Sequence, residues 1–254
     1  MSVAGKGNGM RHLMLTIQYR GTAYQGFQVQ GGKPTVAKTL QDAIETVFKS
    51  RLDIKGCSRT DAGVHANRFA VCFFTGSDIP CDAVVRALNV NLPEDIAVLG
   101  CEQVADAFHP RYDCRGKRYL YKIHNHPVKN PFAADLMLYH KYPLDVGKMD
   151  RAAKGFCGRY DFSAFCSAGS KVEDMVRTIT DAAVYREGTT VIFSVTGDGF
   201  LYHMVRIMVG TLLEVARGAI APEAIPSIIL SRDRACAGPT APAHGLYLDE
   251  VFYD

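Results

Sequence analysis

Residues 56–66 read Gly-Cys-Ser-Arg-Thr-Asp-Ala-Gly-Val-His-Ala. A thiol, two hydroxyls, a guanidinium, a carboxylate and an imidazole lie close together among small residues. Two kinds of chemistry fit. Cys57 with His65 suggests a thiol nucleophile, which needs the imidazole against the sulfur and a third group to orient it. The competing reading of Cys57 is a small buried packing residue. Asp61 with Arg59 suggests a carboxylate kept ionised by a neighbouring guanidinium. In an extended segment, residues two apart share a face. An oriented carboxylate serves as a nucleophile or a base. The same pair also serves as a brace for a loop, and spacing alone leaves both readings open. Ala62 and Gly63 put no bulk beside Asp61, and Gly63 is free to take a positive φ.

Other residues suggest a polyanionic partner. Residues 111–122 carry Arg111, Arg115, Lys117, Arg118 and Lys122 among Tyr112, Tyr119 and Tyr121. Cations bind phosphates and aromatic rings stack on unpaired bases. The alternative is a solvated strand with its tyrosines in the core. Lys148, Arg151 and Lys154 recur every three residues, as a phosphate-facing stripe or an ordinary wet helix face. Arg206 falls in the first turn of a helix, where a cation opposes the helix dipole. Local stability does not explain it, so a partner carboxylate or phosphate is expected. His124 and His126 share a strand face but lack a third ligand, and no metal site is expected.

The flanking sequence predicts the elements that position these groups. Leu13, Leu15, Ile17 and Tyr19 alternate as a strand. A glycine-rich loop, GTAYQGFQVQGGKPT, follows. Val36, Leu40, Ala43, Ile44, Val47 and Phe48 mark a helix over about 35–50. A strand at 69–75, a helix from Cys81 to about Asn89 and a strand at 96–104 complete a first series. A second series has a strand at 117–125 and a helix capped by Asp145 that turns Met149, Ala152, Ala153 and Phe156 inward. It continues with a hairpin of 178–186 and 190–197 turning at Glu-Gly-Thr. A helix at 203–217 follows, with Val205, Met208, Val209, Leu212, Leu213 and Ala216 inward. A short helix in IPSIILSRD and a closing strand in GLYLDEVFY end the series. Both halves mix helices with adjacent strand pairs. The expectation is an α+β fold with antiparallel sheets, divided into residues 11–105 and 106–254 and meeting at a central basic cleft.

The chain has 254 residues, of which 48% are hydrophobic, enough for a sizeable core. A net charge of +3 permits a nucleic-acid partner without requiring one. The eight cysteines include no Cys-x-x-Cys pair, which disfavours zinc ribbons and dithiol redox motifs. With no apolar signal-like segment and no run long enough to span a bilayer, free thiols in the cytoplasm are expected. Residues 1–10, with the GKGNG run, read as a loose tail and not as a phosphate loop.

Several motifs in order along residues 11–254 then resemble one family. GCSRTDAGVHA resembles the Arg-Thr-Asp-Ala-Gly-Val-His signature of the TruA-type tRNA pseudouridine synthases. YRGTAYQGFQVQ, NVNLPEDIAV, FHPRYDCRGKRYLYKI, GRYDFSAF, GFLYHMVRIMVGTLLEVARG and TAPAHGLYLDEVFY match in turn. Arg20 and Phe27 depart from the family's usual Asp and Trp. The resemblance implies that Asp61 is the catalytic carboxylate and that Arg59 pairs with it and helps open the RNA helix. It implies that Tyr119 stacks on the flipped uracil, Leu246 packs against that base, and Arg206 pairs with Asp61 from the second half. Arg115, Lys117 and Arg118 are the accompanying RNA-contact candidates. It further implies a homodimer that needs no cofactor and modifies positions 38–40 of the tRNA anticodon stem-loop, outside any membrane. The alternatives are a non-catalytic tRNA-binding or RNA-folding protein on the same scaffold, and a thiol enzyme on Cys57.

Overall fold

A computed structural model of the chain describes residues 9–169 and 172–253. Most of the N-terminal tail, residues 1–8, lies outside them. The chain forms two compact units. The first runs to Cys114 and includes Tyr253; the second is Arg115–Phe252.

In the first unit, strand β1 (Arg11–Tyr19) lies between β3 (His65–Thr75) and β4 (Ile96–Gln103), antiparallel to both. The short β2 (Lys55–Gly56) pairs with β3. The period-two pattern of β1 has its physical counterpart here. Leu13, Leu15 and Ile17 are fully buried and oppose Phe73, Val71 and Phe69 across the β1–β3 ladder. Helix α1 (Val36–Phe48) begins where Thr35 accepts a hydrogen bond from the Lys38 N–H, satisfying one of the free amides of the first turn. It buries Val36, Leu40, Ala43 and Ile44, while Val47 and Phe48 stay half-buried at its end. Helix α2 (Cys81–Asn91) runs slightly beyond its predicted end and buries Val84 and Leu88.

One strand is longer than its sequence suggests. β3 begins at His65, not near 69, because Ala66 pairs with Tyr19 and His65 itself is buried. The polar Asn67 and Arg68 hid this start from a hydrophobicity pattern.

The second unit is built on strands in the order β10-β5-β9-β8-β7, each antiparallel to its neighbour. Its strands are β5 (Gly116–Asn125), β7 (Gly158–Asp161), β8 (Val176–Glu187), β9 (Thr190–Gly197) and β10 (Leu246–Phe252). A three-residue strand, β6 (Leu138–His140), joins β5 in parallel and has no signal in the sequence pattern. Gly188, at φ 56°, turns the predicted β8–β9 hairpin. Helix α3 (Val146–Lys154) starts at Asp145, whose carboxylate accepts from the Lys148 N–H. It buries Met149, Ala152 and Ala153, with Phe156 just beyond it, as the spacing predicts.

Helix α4 (Met204–Ala216) departs from the expected one-sided stripe. Met204, Ile207, Gly210, Thr211 and Val215 are buried as well, whereas Leu213 and Ala216 are half-exposed. The reason is the segment before β10. A Cβ on Gly210 would stand 1.7 Å from the Pro239 carbonyl oxygen, and the Gly238 N–H donates to Thr211 Oγ1 at 2.9 Å. Backbone thus crosses α4 directly, on the side that a single-stripe reading leaves to solvent. Helix α5 (Ile225–Ser231) completes the predicted set. Among the described residues, no helix is long and apolar enough to cross a membrane.

Candidate active site

The Asp61 loop is held by backbone bonds on both sides. The Cys57 N–H donates to the Ala70 carbonyl at 2.9 Å, which ties the loop's start to β3. Asp61 opens a tight turn, with the Val64 N–H donating to the Asp61 carbonyl at 3.2 Å and Gly63 at φ 78°. That φ is the one a type II turn requires at its third position, where glycine is favoured. Asp61 itself is half-buried.

The glycine-rich loop clamps this turn. The Phe27 N–H donates to the Thr60 carbonyl at 3.3 Å, and the Gly63 N–H donates to the Tyr24 carbonyl at 3.2 Å. Tyr19 and Thr60 share a hydroxyl hydrogen bond of 2.8 Å. Two glycines permit the close approach. A Cβ on Gly21 would lie 1.9 Å from the Val64 carbonyl oxygen, and one on Gly26 would lie 2.3 Å from that of Thr60. The clamp is anchored in turn to Asp95, which accepts from the Tyr24 hydroxyl at 2.7 Å and, through its carbonyl, from the Arg20 N–H at 2.8 Å. Burial first, then the bond to Asp95, pushes the Tyr24 phenol well up, so it stays a protonated donor.

His65 and Cys57 are both placed by this architecture. His65 is buried and its Nδ1 accepts the Gly21 N–H at 3.0 Å, so the imidazole fixes the loop rather than facing a thiol from solvent. Cys57 is fully buried. The interleaved loops could not be read from spacing, although the glycines at 21, 26 and 63 were a signal for close backbone approach.

Arg59 does not make the predicted ion pair with Asp61. The only turn in this stretch is Ala62–Gly63, just after Asp61. Arg59 is exposed and lines a hollow of about 280 Å³ with Phe27, Gln41, Asp53 and Arg111. Phe27 is buried and stacks on Phe69 with ring centroids 4.3 Å apart, so this residue does packing work in the hollow's wall.

In the second unit, Tyr119 and Tyr121 share the buried face of β5, at 8% and 0% exposure. Tyr119 meets Phe200 edge-on at 4.9 Å. The Tyr121 hydroxyl donates to the Pro242 carbonyl at 2.8 Å, and a Cβ on Gly245 would lie 2.6 Å from its ring. The neighbouring Ala241 carbonyl accepts from Arg206 Nε at 2.7 Å, and the Ala241 N–H donates back to the Arg206 carbonyl at 3.0 Å. Residues 241–245 are therefore pinned by Arg206 and Tyr121 together, immediately before Leu246 pairs opposite Tyr121. Burial pushes the Tyr121 phenol up, and the nearby Arg206 charge opposes that shift. Sequence reading assigned Arg206, Tyr119 and Leu246 and set Tyr121 on the face of Tyr119, but it did not show that Tyr121 and Arg206 meet at residues 241–245.

The remaining basic candidates differ in availability. Arg118 donates to Asp249 at 2.6 Å, with Glu250 at 3.9 Å, so much of its charge is already neutralised. Lys117 is half-buried and Arg115 exposed. On α3, Lys148 pairs with Asp145 at 3.2 Å and Lys154 with Asp150 at 3.8 Å, as expected of a wet face. Among the described residues, no three His, Cys, Asp or Glu side chains are grouped to hold a metal.

Comparison with known proteins agrees with this arrangement of motifs. A family model described as tRNA pseudouridine synthase matches residues 15–113 and 152–254. The tRNA pseudouridine synthase A of Acetivibrio thermocellus is 47% identical over 244 residues, covering 96% of this chain and 100% of the relative. Clostridium tetani tRNA pseudouridine synthase A 2 is 44% identical, covering 96% and 99%. The Halalkalibacterium halodurans tRNA pseudouridine synthase A is 42% identical, covering 93% and 90%. A chain of a Cbf5-Nop10-Gar1 complex aligns at TM-score 0.36 and 11% identity over 79% of this chain and 53% of its own, too slight a likeness to bear on the fold. Matched over most of its length, with the Asp61 turn inside the matched region, the chain belongs to the tRNA pseudouridine synthase family.

Proposed function

We propose that this protein isomerises uridine to pseudouridine in the anticodon stem-loop of tRNA, at positions 38–40, with Asp61 as the reacting carboxylate. Family membership makes the reaction a tRNA uridine isomerisation. The observation that supports Asp61 is its setting. It is the half-buried carboxylate at the head of a turn clamped by two backbone hydrogen bonds from a second loop and by the Tyr19 hydroxyl at the end of β1. Such fixing holds a reacting group in position before substrate arrives.

The reaction breaks the N1–C1′ bond, turns the base and joins C5 to C1′. The proton at C5 is lost and N1 gains one, so no group is transferred and no redox partner is needed. As the glycosidic bond breaks, the sugar becomes electron-poor and the base gains negative charge. A carboxylate can stabilise or attack such a sugar, or assist removal of a proton. The base must first leave its stack, at a cost of a few kcal/mol, and must be kept from diffusing away. Tyr119 and Leu246 are proposed to pack against it, and Arg206 to supply charge complementary to the carboxylate. Recognition of the remaining RNA is proposed to rest on phosphates and shape. The same reading makes the working form a cytoplasmic homodimer.

The test is release of tritium from tRNA labelled at uridine C5, followed by carbodiimide mapping of pseudouridine. Release with modification at 38–40 supports the proposal. Tight tRNA binding without release would instead leave an RNA-binding protein on this scaffold.

A further inference from the structure

Arg11 opens β1, and its guanidinium gathers groups from three segments. Nη1 donates to the Ser77 and Ile79 carbonyls at 3.2 and 2.8 Å. Nε donates to Gln103 Oε1 at 3.3 Å, and Nη2 donates to Cys81 Sγ at 3.7 Å. Cys81 is the first residue of α2, 20 positions before Cys101 on β4. Cross-strand partners share a face, and Cys101 stands opposite the buried Leu15. Gln103, two residues on, shares that face. One arginine thus touches the start of α2 and the stretch of β4 that carries Cys101, and both thiols are half-buried. No Cys-x-x-Cys spacing marks this pair; the packing of α2 on β4 creates it.

The two sulfurs are unequally placed. The thiolate is the form that attacks a disulfide, and reactive thiols sit beside guanidinium groups and at helix starts. Cys81 has both neighbours, and Pro80 before it offers the helix no side-chain cap. The adjacent carboxylate, Asp82, is engaged with Arg86 at 2.8 Å. Cys101 keeps its proton. Burial first, then Cys81 beside it, push its thiol up to about 12, against the opposing charge of Arg11. The contribution from Cys81 ends once that sulfur is bonded to another.

We propose that Cys81 and Cys101 form a thiol–disulfide exchange site that takes a low-molecular-weight disulfide and closes into a reversible bond between α2 and β4. The Cys81 thiolate attacks one sulfur of the small disulfide, forming a mixed disulfide and releasing one small thiolate. Cys101 loses its proton to solvent, attacks the Cys81 sulfur and expels the second small thiolate. Two protein thiols are oxidised, and one small disulfide is reduced to two thiols. The bond joins the two ends of residues 81–101. That segment holds Asp95, which accepts from the Tyr24 hydroxyl and the Arg20 N–H. The disulfide braces the anchor of the glycine-rich loop, and its chemistry is independent of the uridine isomerisation.

The test treats the reduced full chain with oxidised glutathione and maps its tryptic peptides by mass. In the wild type, peptides 69–86 and 87–111 should be joined, two hydrogen atoms lighter than the separate pair. Cys101→Ser should stop with one glutathionyl group on peptide 69–86. Cys81→Ser should give no link, which separates Cys81 from the buried Cys72 in the same peptide. The exposed Cys236 is an internal reference for thiolation without a link. Arg11→Gln should slow the first step about five-fold. The oxidised wild type should unfold at higher urea than the reduced form, with dithiothreitol abolishing the gain and Cys101→Ser never showing it. Urea unfolding of each reduced variant confirms that it is folded. A link that persists in Cys81→Ser would overturn the site. So would a wild type that carries glutathionyl groups and no link, or a urea midpoint unchanged by the bond. An undiminished rate in Arg11→Gln would remove Arg11 from it.

Discussion

The backbone N–H of Gly21 donates a 3.0 Å hydrogen bond to Nδ1 of the buried His65. This bond ties the first residue of β3 to the glycine-rich loop. The histidine of the signature thereby acts on the loop that holds Asp61. An accepting Nδ1 carries no proton, so the neutral ring donates, if at all, from Nε2.

Replacing His65 by Phe keeps the bulk but leaves the Gly21 N–H without its acceptor. A buried donor left unpaired costs about 1–3 kcal/mol. Gly21→Ala should cost on the order of 3 kcal/mol, because its Cβ would meet the Val64 carbonyl at 1.9 Å. Urea denaturation measures both losses, and both variants should release tritium more slowly. A Gly21→Ala protein of wild-type stability would contradict the close packing of the two loops.

Asp61→Asn keeps the size and most hydrogen bonds of the side chain but removes its charge and basicity. Tritium release should fall to background while stem-loop affinity stays within about two-fold. Any substantial turnover by the pure variant would remove Asp61 from the reaction.

Cys57 is fully buried, so Cys57→Ala removes packing atoms from the core. We expect a loss of about 1–2 kcal/mol in stability and an unchanged rate of tritium release. Loss of activity in a folded Cys57→Ala protein would revive the thiol mechanism.

Tyr121→Phe deletes the hydroxyl that donates to the Pro242 carbonyl. The direct cost is about 1 kcal/mol. Because residues 241–245 lead into Leu246, kcat should fall as well, with little change in stem-loop affinity. Equal kcat in the two proteins would mean that this segment needs only Arg206 to hold it.

Asp161 supplies a pH dependence. Hydrogen bonds from the Ser163 side chain and N–H, with Arg232 3.3 Å away, hold its carboxyl below the usual range. A depressed carboxyl pKa stabilises the fold above the unfolded value, about 4, and that contribution is lost as pH falls through the folded value. The stability gap between wild type and Asp161→Asn should therefore be constant near neutrality and shrink below about pH 4. A gap that widened on acidification would refute the assignment.

Most elements were legible because their burial is one-sided. Leu13, Leu15 and Ile17 alternate since one face of β1 meets the core, and Thr35 and Asp145 mark helix starts by local side-chain bonds. The ordered motifs, led by RTDAGVH, fixed the family in the same way, because each is a local string. Contacts between distant segments were not legible. No periodicity reveals that residues 238–239 lie across α4, that Ala241 receives Arg206, or that His65 answers to Gly21. Arg59 shows the difference most directly. Its sequence neighbour Asp61 suggests an ion pair, but Arg59 lines a hollow shared with Arg111, far along the chain. Local propensity and burial pattern are written in neighbouring residues. The direction a loop side chain takes depends on which distant backbone holds that loop, and only the folded chain decides it.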